Sequence, residues 1–413
     1  MSKDTGNPAI ERRRLVPFLV GTALGNAGDM FSQIAIFWTG LQLTGTAFSL
    51  AELGGVWTLS AAIMGLISGP FVDRFNRRNI LAVYQVLLAL LSFAICALAW
   101  NEALRMWHLV LFLVGEALLG TPVSAAFDAL LPDLVPEEQL VRVNGLLSSW
   151  GMADNLVEAA ASGIVLAIWG PAPIFLFTGI MFLVGASAAF FIPQRAGTPH
   201  AESMRERWQP IRDLRTSIRY IVRERLLRRV VCLDVVNDLV LAPLFFVPPV
   251  IVATLNMGPE SYGFIQSLTL GGVLLASLVA SSIGAKWPKF QLWIGGNIVI
   301  ALSFLVLGLR MNVVLALVVF FLFGIGVTGG RVYGFALIQQ VLPSKVRGRV
   351  NGISRFLGGV LQPLSIAVVM ALADSKGIDH VLFWLALLIL AVAIAYLLLL
   401  PRRDQDWSLP DVA

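Results

Sequence analysis

Six carboxylates interrupt long apolar runs in this 413-residue chain: Asp29, Glu116, Asp154, Glu158, Asp234 and Asp238. A charged side chain facing lipid at the centre of a bilayer costs about 2.5–3.5 kcal/mol, so these acids must face protein or a wet cavity. Asp154 with Glu158, and Asp234 with Asp238, are spaced four apart, which puts each pair on one helix face where two charges repel. A site of that kind keeps one carboxyl protonated near neutral pH, as a proton-coupled carrier requires. Arg331 and Arg355 are the basic residues inside apolar runs, and an ion pair with one of them is the alternative role for any of the acids. Acids outnumber these arginines, which favours a cation or proton pathway. The residues expected to form it are Asp29, Glu116, Asp154, Glu158, Asp238 and Arg331. Asp29 is central among them because it falls near the middle of its run, with Gly21, Gly25 and Gly28 leaving one side bare of bulk.

The elements that must position these acids follow from composition. Hydrophobic residues make up 57% of the chain, charged residues 13%, and mean hydropathy is +0.81. Soluble domains carry about twice that share of charge, so a membrane protein is expected and a soluble enzyme is excluded. Cys96 and Cys232 imply no disulfide framework, and His108, His200 and His380 lie too far apart to suggest zinc or haem. No cofactor and no metal are expected. No Gly-x-x-x-x-Gly-Lys-Ser/Thr loop occurs in the sequence, which argues against ATP-driven pumping.

Runs of about 20 apolar residues mark twelve membrane spans, at about 15–38, 47–72, 79–100, 105–128, 141–168, 172–192, 230–254, 261–285, 290–309, 312–341, 350–373 and 381–400. With the N-terminus inside, basic residues crowd the cytoplasmic connections. Arg105, Arg310 and Lys376 alone fall outside, while Arg331 and Arg355 lie within spans. The positive-inside rule therefore places both termini in the cytoplasm, and the net charge of +5 reads as topology rather than nucleic-acid binding. The long connection separates residues 1–192 from 230–413. Within this linker, residues 193–229, Trp208, Ile211, Leu214, Ile218, Ile221 and Val222 recur at helical spacing among arginines, as in a helix lying on a lipid surface.

An internal repeat supports two halves. Arg142-Val143-Asn144-Gly145 returns half a chain later as Arg349-Val350-Asn351-Gly352, each preceded by a Leu-Pro turn at Leu131-Pro132 and Leu342-Pro343. Between spans two and three the chain reads Gly65-Leu66-Ile67-Ser68-Gly69-Pro70-Phe71-Val72-Asp73-Arg74-Phe75-Asn76-Arg77-Arg78. That stretch resembles the signature loop of the major facilitator superfamily. Residues 28–51 and 130–146 are similar to its drug and siderophore exporter branch, the relatives of macrolide and enterobactin exporters. The resemblance implies an all-α integral membrane protein with twelve transmembrane helices in two pseudo-symmetric six-helix bundles. It also implies an intracellular latch, carried over to Asp73, Arg77 and Asp128. Span five departs from the antiporter pattern, reading Asn155 to Gly163 without the usual Gly-Pro kink.

The function expected is export of an amphipathic small molecule by alternating access, coupled to protons by antiport, by a monomer in a bacterial inner membrane with membrane lipid around it. Phe31, Trp150 and Phe246 are the aromatic residues expected at the cavity. The rivals are a lysophospholipid flippase, a divalent-metal exporter resembling ferroportin with Asp29 and Cys232 as ligands, and a transport-dead sensor.

Overall fold

The computed structural model describes residues 8–135, 137–192, 225–283, 289–309, 312–329 and 344–399. All regular structure among the described residues is helical, as the sequence predicts. Ten of these helices are long and apolar enough to cross a bilayer, and Val313–Thr328 is a shorter apolar helix at the tenth expected span. Span one accounts for the twelfth crossing, but it is not one helix. It breaks into α1, Pro8–Asn26, and α2, Asp29–Thr44. Large apolar side chains such as Leu90, Leu111, Leu278 and Trp384 stand outward, where a water-soluble protein would carry charge.

The chain forms two compact units, Met1–Leu43 with Ile63–Trp208, and Thr44–Ala62 with Gln209–Ala413. The helix α3, Phe48–Val72, thus gives its first part to the second unit and its last part to the first.

In the first unit, α4 (Arg77–Trp100), α5 (Met106–Leu134), α6 (Glu137–Trp169) and α7 (Ala172–Ala188) complete the set. Asn76 starts α4 by accepting the Arg78 N–H at 3.0 Å. α7 packs against α4 and α1, and small residues set its approach to α1. A Cβ on Gly25 would come within 2.5 Å of Gly185 Cα, and one on Gly21 within 2.7 Å of the Ala188 Cβ. These glycines are therefore filled against α7 and do not open a path to Asp29. α5 also departs from expectation: it runs through Pro132 to Leu134, so Leu131-Pro132 is helix and not a turn. Proline has no amide to bond the Asp128 carbonyl one turn back, so α5 continues to Leu134 with one intrahelical bond missing.

In the second unit, α8 (Arg225–Leu241) tightens into a 3-10 turn, Ala242–Phe246, before α9 (Val247–Thr254) resumes. Pro243, Pro248 and Pro249 withhold the amides that a continuous helix would need. α10 (Pro259–Ile283), α11 (Lys289–Leu309), α12 (Val313–Thr328), α13 (Ser344–Lys376) and α14 (Ile378–Leu399) follow. Gly272 on α10 lies against the Phe321 carbonyl and Gly324 on α12 against that of Thr269, a reciprocal contact that lets two backbones meet. Phe304, Phe320 and Phe323 pack edge to face beside it, with centroids 5.3–6.0 Å apart. Asp374, near the end of α13, accepts the N–H groups of Ala47 and Phe48 at 2.7 and 2.9 Å, closing the exposed start of α3.

Candidate functional site

Four of the expected acids come together in the first unit, around the break in span one. Gly28 takes φ +109°, a left-handed conformation that ends α1 and lets α2 start afresh with Asp29 in its first turn. The break is held by side chains distant in sequence. Glu158 on α6 accepts the Gly28 N–H through Oε1, and Thr178 on α7 donates to the Gly28 carbonyl at 3.3 Å. Ser162, one turn beyond Glu158, donates to the Phe31 carbonyl at 2.8 Å. Asp29 is partly buried between these anchors. Its charge interacts with that of Asp154, one turn before Glu158, and with Glu116 on α5. The charges acting on Glu158 are those of Asp154 and Asp29.

The arrangement is a half-helix N-terminus inside a membrane span, with Asp29 in its first turn, Glu158 on the amide just before it, and Asp154 and Glu116 near enough for charge to be felt. Backbone N–H groups at such a terminus favour negative charge, while the acids around it repel one another until a proton or a cation intervenes. Glu116 and Glu158 each hold a buried Oε2 without a hydrogen-bond partner. Among the described residues no three of His, Cys, Asp and Glu are disposed to hold a metal ion, so the acids neighbour one another without converging on one point.

The remaining expected residues are placed as follows. Asp238 is partly buried on α8 in the second unit, beside Gly358. Arg331 lies outside the described residues, as do the side chains of Asp234 and Arg355 and the surface helix expected from Trp208 to Val222. Phe31 is buried against Phe177, with ring centroids 5.0 Å apart, and Phe246 is buried against Gly54, where a Cβ would come within 2.5 Å of its ring. Trp150 stands about half exposed on α6, at 51%. A separate recess of about 480 Å³, lined by apolar residues with Gln291 and Thr328, lies among α10, α11 and α12.

At the end of span four the arginine finds a different partner. Arg77 donates through Nη1 to Asp133 at 2.8 Å and to the Ala129 carbonyl at 3.1 Å, with Asp73 at 3.9 Å on its other side. Asp128 is exposed and takes no part. Because α5 continues through Pro132, the membrane edge falls later on it, and Asp128 lies about 7.5 Å, five helical rises, from the level of Asp133. Asp133 sits in the Leu-Leu-Pro-Asp-Leu stretch, and reading that proline as helical would have found it.

Comparison with known proteins gives a consistent picture. The sequence profile described as Major Facilitator Superfamily matches residues 18–245 and 232–412. The chain is 23% identical over 402 residues to the multidrug efflux pump Tap of Mycobacterium tuberculosis (strain ATCC 25618 / H37Rv), covering 94% of each. It is 21% identical over 391 residues to macrolide efflux protein A of Streptococcus pyogenes, covering 94% of this chain and 96% of that one. Among solved structures, the nucleoside transporter NupG superposes with a TM-score of 0.74 at 10% identity, covering 94% of this chain and 98% of that one.

Proposed function

The chain belongs to the major facilitator superfamily, and from that premise we infer that it exports amphipathic cationic or zwitterionic molecules in exchange for protons. The observation that carries this reading is the acid cluster at the break in span one, where Glu158 holds the Gly28 amide beside Asp29, Asp154 acts on both acids, and Glu116 joins through Asp29. Such a group takes either a proton or a cation, and competition between the two is antiport. The similarity to a multidrug efflux pump and a macrolide efflux protein supports export as the direction and drug-like compounds as the cargo. The absent Gly-Pro kink in span five is answered by a different interruption, at Gly28 in span one, which gives the pathway a bendable point.

In this reading Arg77, Asp73 and Asp133 form the intracellular latch that holds the ends of α3, α4 and α5 in one state. The protein sits as a monomer in the bacterial plasma membrane with both termini in the cytoplasm, supported by the crowding of arginines on that side.

The test is reconstitution into sealed liposomes with an imposed pH gradient, using ethidium as a lipophilic cation. Gradient-driven ethidium accumulation that collapses with a proton–cation exchanging ionophore is expected. Facilitated ethidium flux indifferent to the gradient would remove the coupling, and no protein-dependent flux would remove the cargo class.

A further inference from the structure

α6 grips span one on both sides of Asp29. Glu158 holds the amide of Gly28, immediately before it, and Ser162 holds the carbonyl of Phe31, two residues after it. The orientation of Asp29 therefore depends on α6, with Thr178 of α7 on the Gly28 carbonyl, rather than on α1, which has already ended. Glu158 is 5% exposed, and its two oxygens differ. Oε1 accepts from Gly28, and the Phe31 amide exerts a weaker pull on the same carboxylate, while Oε2 is buried with no hydrogen bond of its own. An ionised carboxylate with one buried oxygen that no protein group donates to keeps much of its desolvation cost. A carboxylic acid avoids it: Oε1 still accepts from Gly28, and the proton resides on Oε2.

The charges that face Glu158 add to the argument. Asp154 on its own helix and Asp29 on α2 act on it, and Glu116 on α5 acts in turn on Asp29. α7 carries no titratable side chain, and the stretch of α1 from Val16 to Asn26 carries none in its sequence. Among the described residues no basic group faces the cluster.

We propose that Glu158 is the positioning residue that carries the exchanged proton, and that it reports its state to Asp29 through the Gly28 amide. With the proton on Oε2, Glu158 keeps α2 seated with Asp29 at its first turn. As a cation enters beside Asp29, the proton leaves Oε2 for water, so the charge of the cluster is unchanged across the exchange. The now ionised Glu158 is repelled by Asp154, and the grip on Gly28 shifts. The inference rests on the antiport reading above, but it divides labour inside the cluster: Asp29 meets cargo and Glu158 holds the proton.

The experiment compares wild type, Glu158→Gln and Ser162→Ala in liposomes, reading gradient-driven ethidium accumulation, gradient-free ethidium counterflow and thermal unfolding in detergent. Glutamine keeps an acceptor for Gly28 and cannot release a proton. E158Q is expected to unfold at the wild-type temperature and to retain counterflow, with gradient-driven accumulation down at least about tenfold and a flat pH profile, as for loss of a proton-transferring group. S162A loosens the same grip without removing a titrating group, so it should unfold earlier while keeping the wild-type pH profile. E158Q that accumulates ethidium with the wild-type pH profile would overturn the inference and leave antiport standing. A wild type that ignores the gradient would overturn both. Should E158Q fail to fold, Glu158→Asp carries the test: a pH profile of accumulation displaced from wild type supports the proton role, and a wild-type profile overturns it.

Discussion

Arg77 on α4 donates to Asp133 on α5 at 2.8 Å, while Asp128, earlier on the same helix, stays exposed. The pair ties two helix ends at the level of the membrane edge, where its side chains are 10% and 30% exposed.

Asp133→Asn should therefore slow transport far more than Asp128→Asn. Asp133 is partly hydrated but Arg77 is buried, so the stability lost with the charge is expected to lie above the roughly 1 kcal/mol of an exposed pair and below the roughly 3–5 kcal/mol of a fully buried one. Initial transport rates and melting temperatures of the two variants, side by side, check this. Equal transport by D133N and wild type would reduce Arg77 to a topology signal.

Asp374 is a prediction about stability rather than coupling. Its two oxygens take two otherwise free amides at the start of α3, so Asp374→Ala should cost about 0.5–2 kcal/mol, within the range of helix N-caps. Asp374→Asn keeps one acceptor and should fall between. Thermal unfolding in detergent orders the three proteins, and an unchanged D374A would mean that water replaces the cap fully.

For Asp29 the expected result is a split. Asp29→Asn should leave the melting temperature near wild type, because its neighbours Asp154 and Glu116 repel it rather than pair with it. Uphill, pH-driven export should be lost while some counterflow survives. A large fall in melting temperature would instead identify Asp29 as one half of a structural ion pair, whose breaking commonly costs about 3–5 kcal/mol.

Gly185→Ala tests the approach of α7 to α1. The added Cβ would collide with Gly25 and with the buried Gln85 side chain, and overpacking of this kind costs about 1–3 kcal/mol. Gly145→Ala, with nothing near its Cβ position, is the control. The ratio of monodisperse to aggregated protein by size-exclusion chromatography reads the difference.

The spans were legible because a bilayer sets a minimum run of apolar residues, and the acids were legible because each interrupts such a run. Proximity was only partly legible. The four-residue spacing placed Asp154 and Glu158 on one face of α6, but their meeting with Asp29 and Glu116 comes from packing across the unit. The break at Gly28 stayed hidden for the same reason: its anchors, Glu158, Ser162 and Thr178, lie far along the chain. Pro132 misled in the opposite direction, since a residue that usually ends helices sits here inside the last turn of one. Gly21 and Gly25 read as open space because a sequence shows a missing side chain but not the neighbour that fills its place.

Gly28 also sets a limit on how this protein can adapt. Its φ of +109° is one that residues with a Cβ rarely adopt, and a Cβ there would meet Thr178 Cα at 3.2 Å, so backbone and neighbour both exclude a replacement. Selection for survival on unfamiliar compounds would have to work around it. Changes to cargo range would collect at side chains that can vary without disturbing the break, such as the exposed Trp150 on α6, while codon 28 stays invariant in every surviving clone. The same residue that gives span one its interruption thus divides the surrounding sequence into positions open to drift and one that is closed.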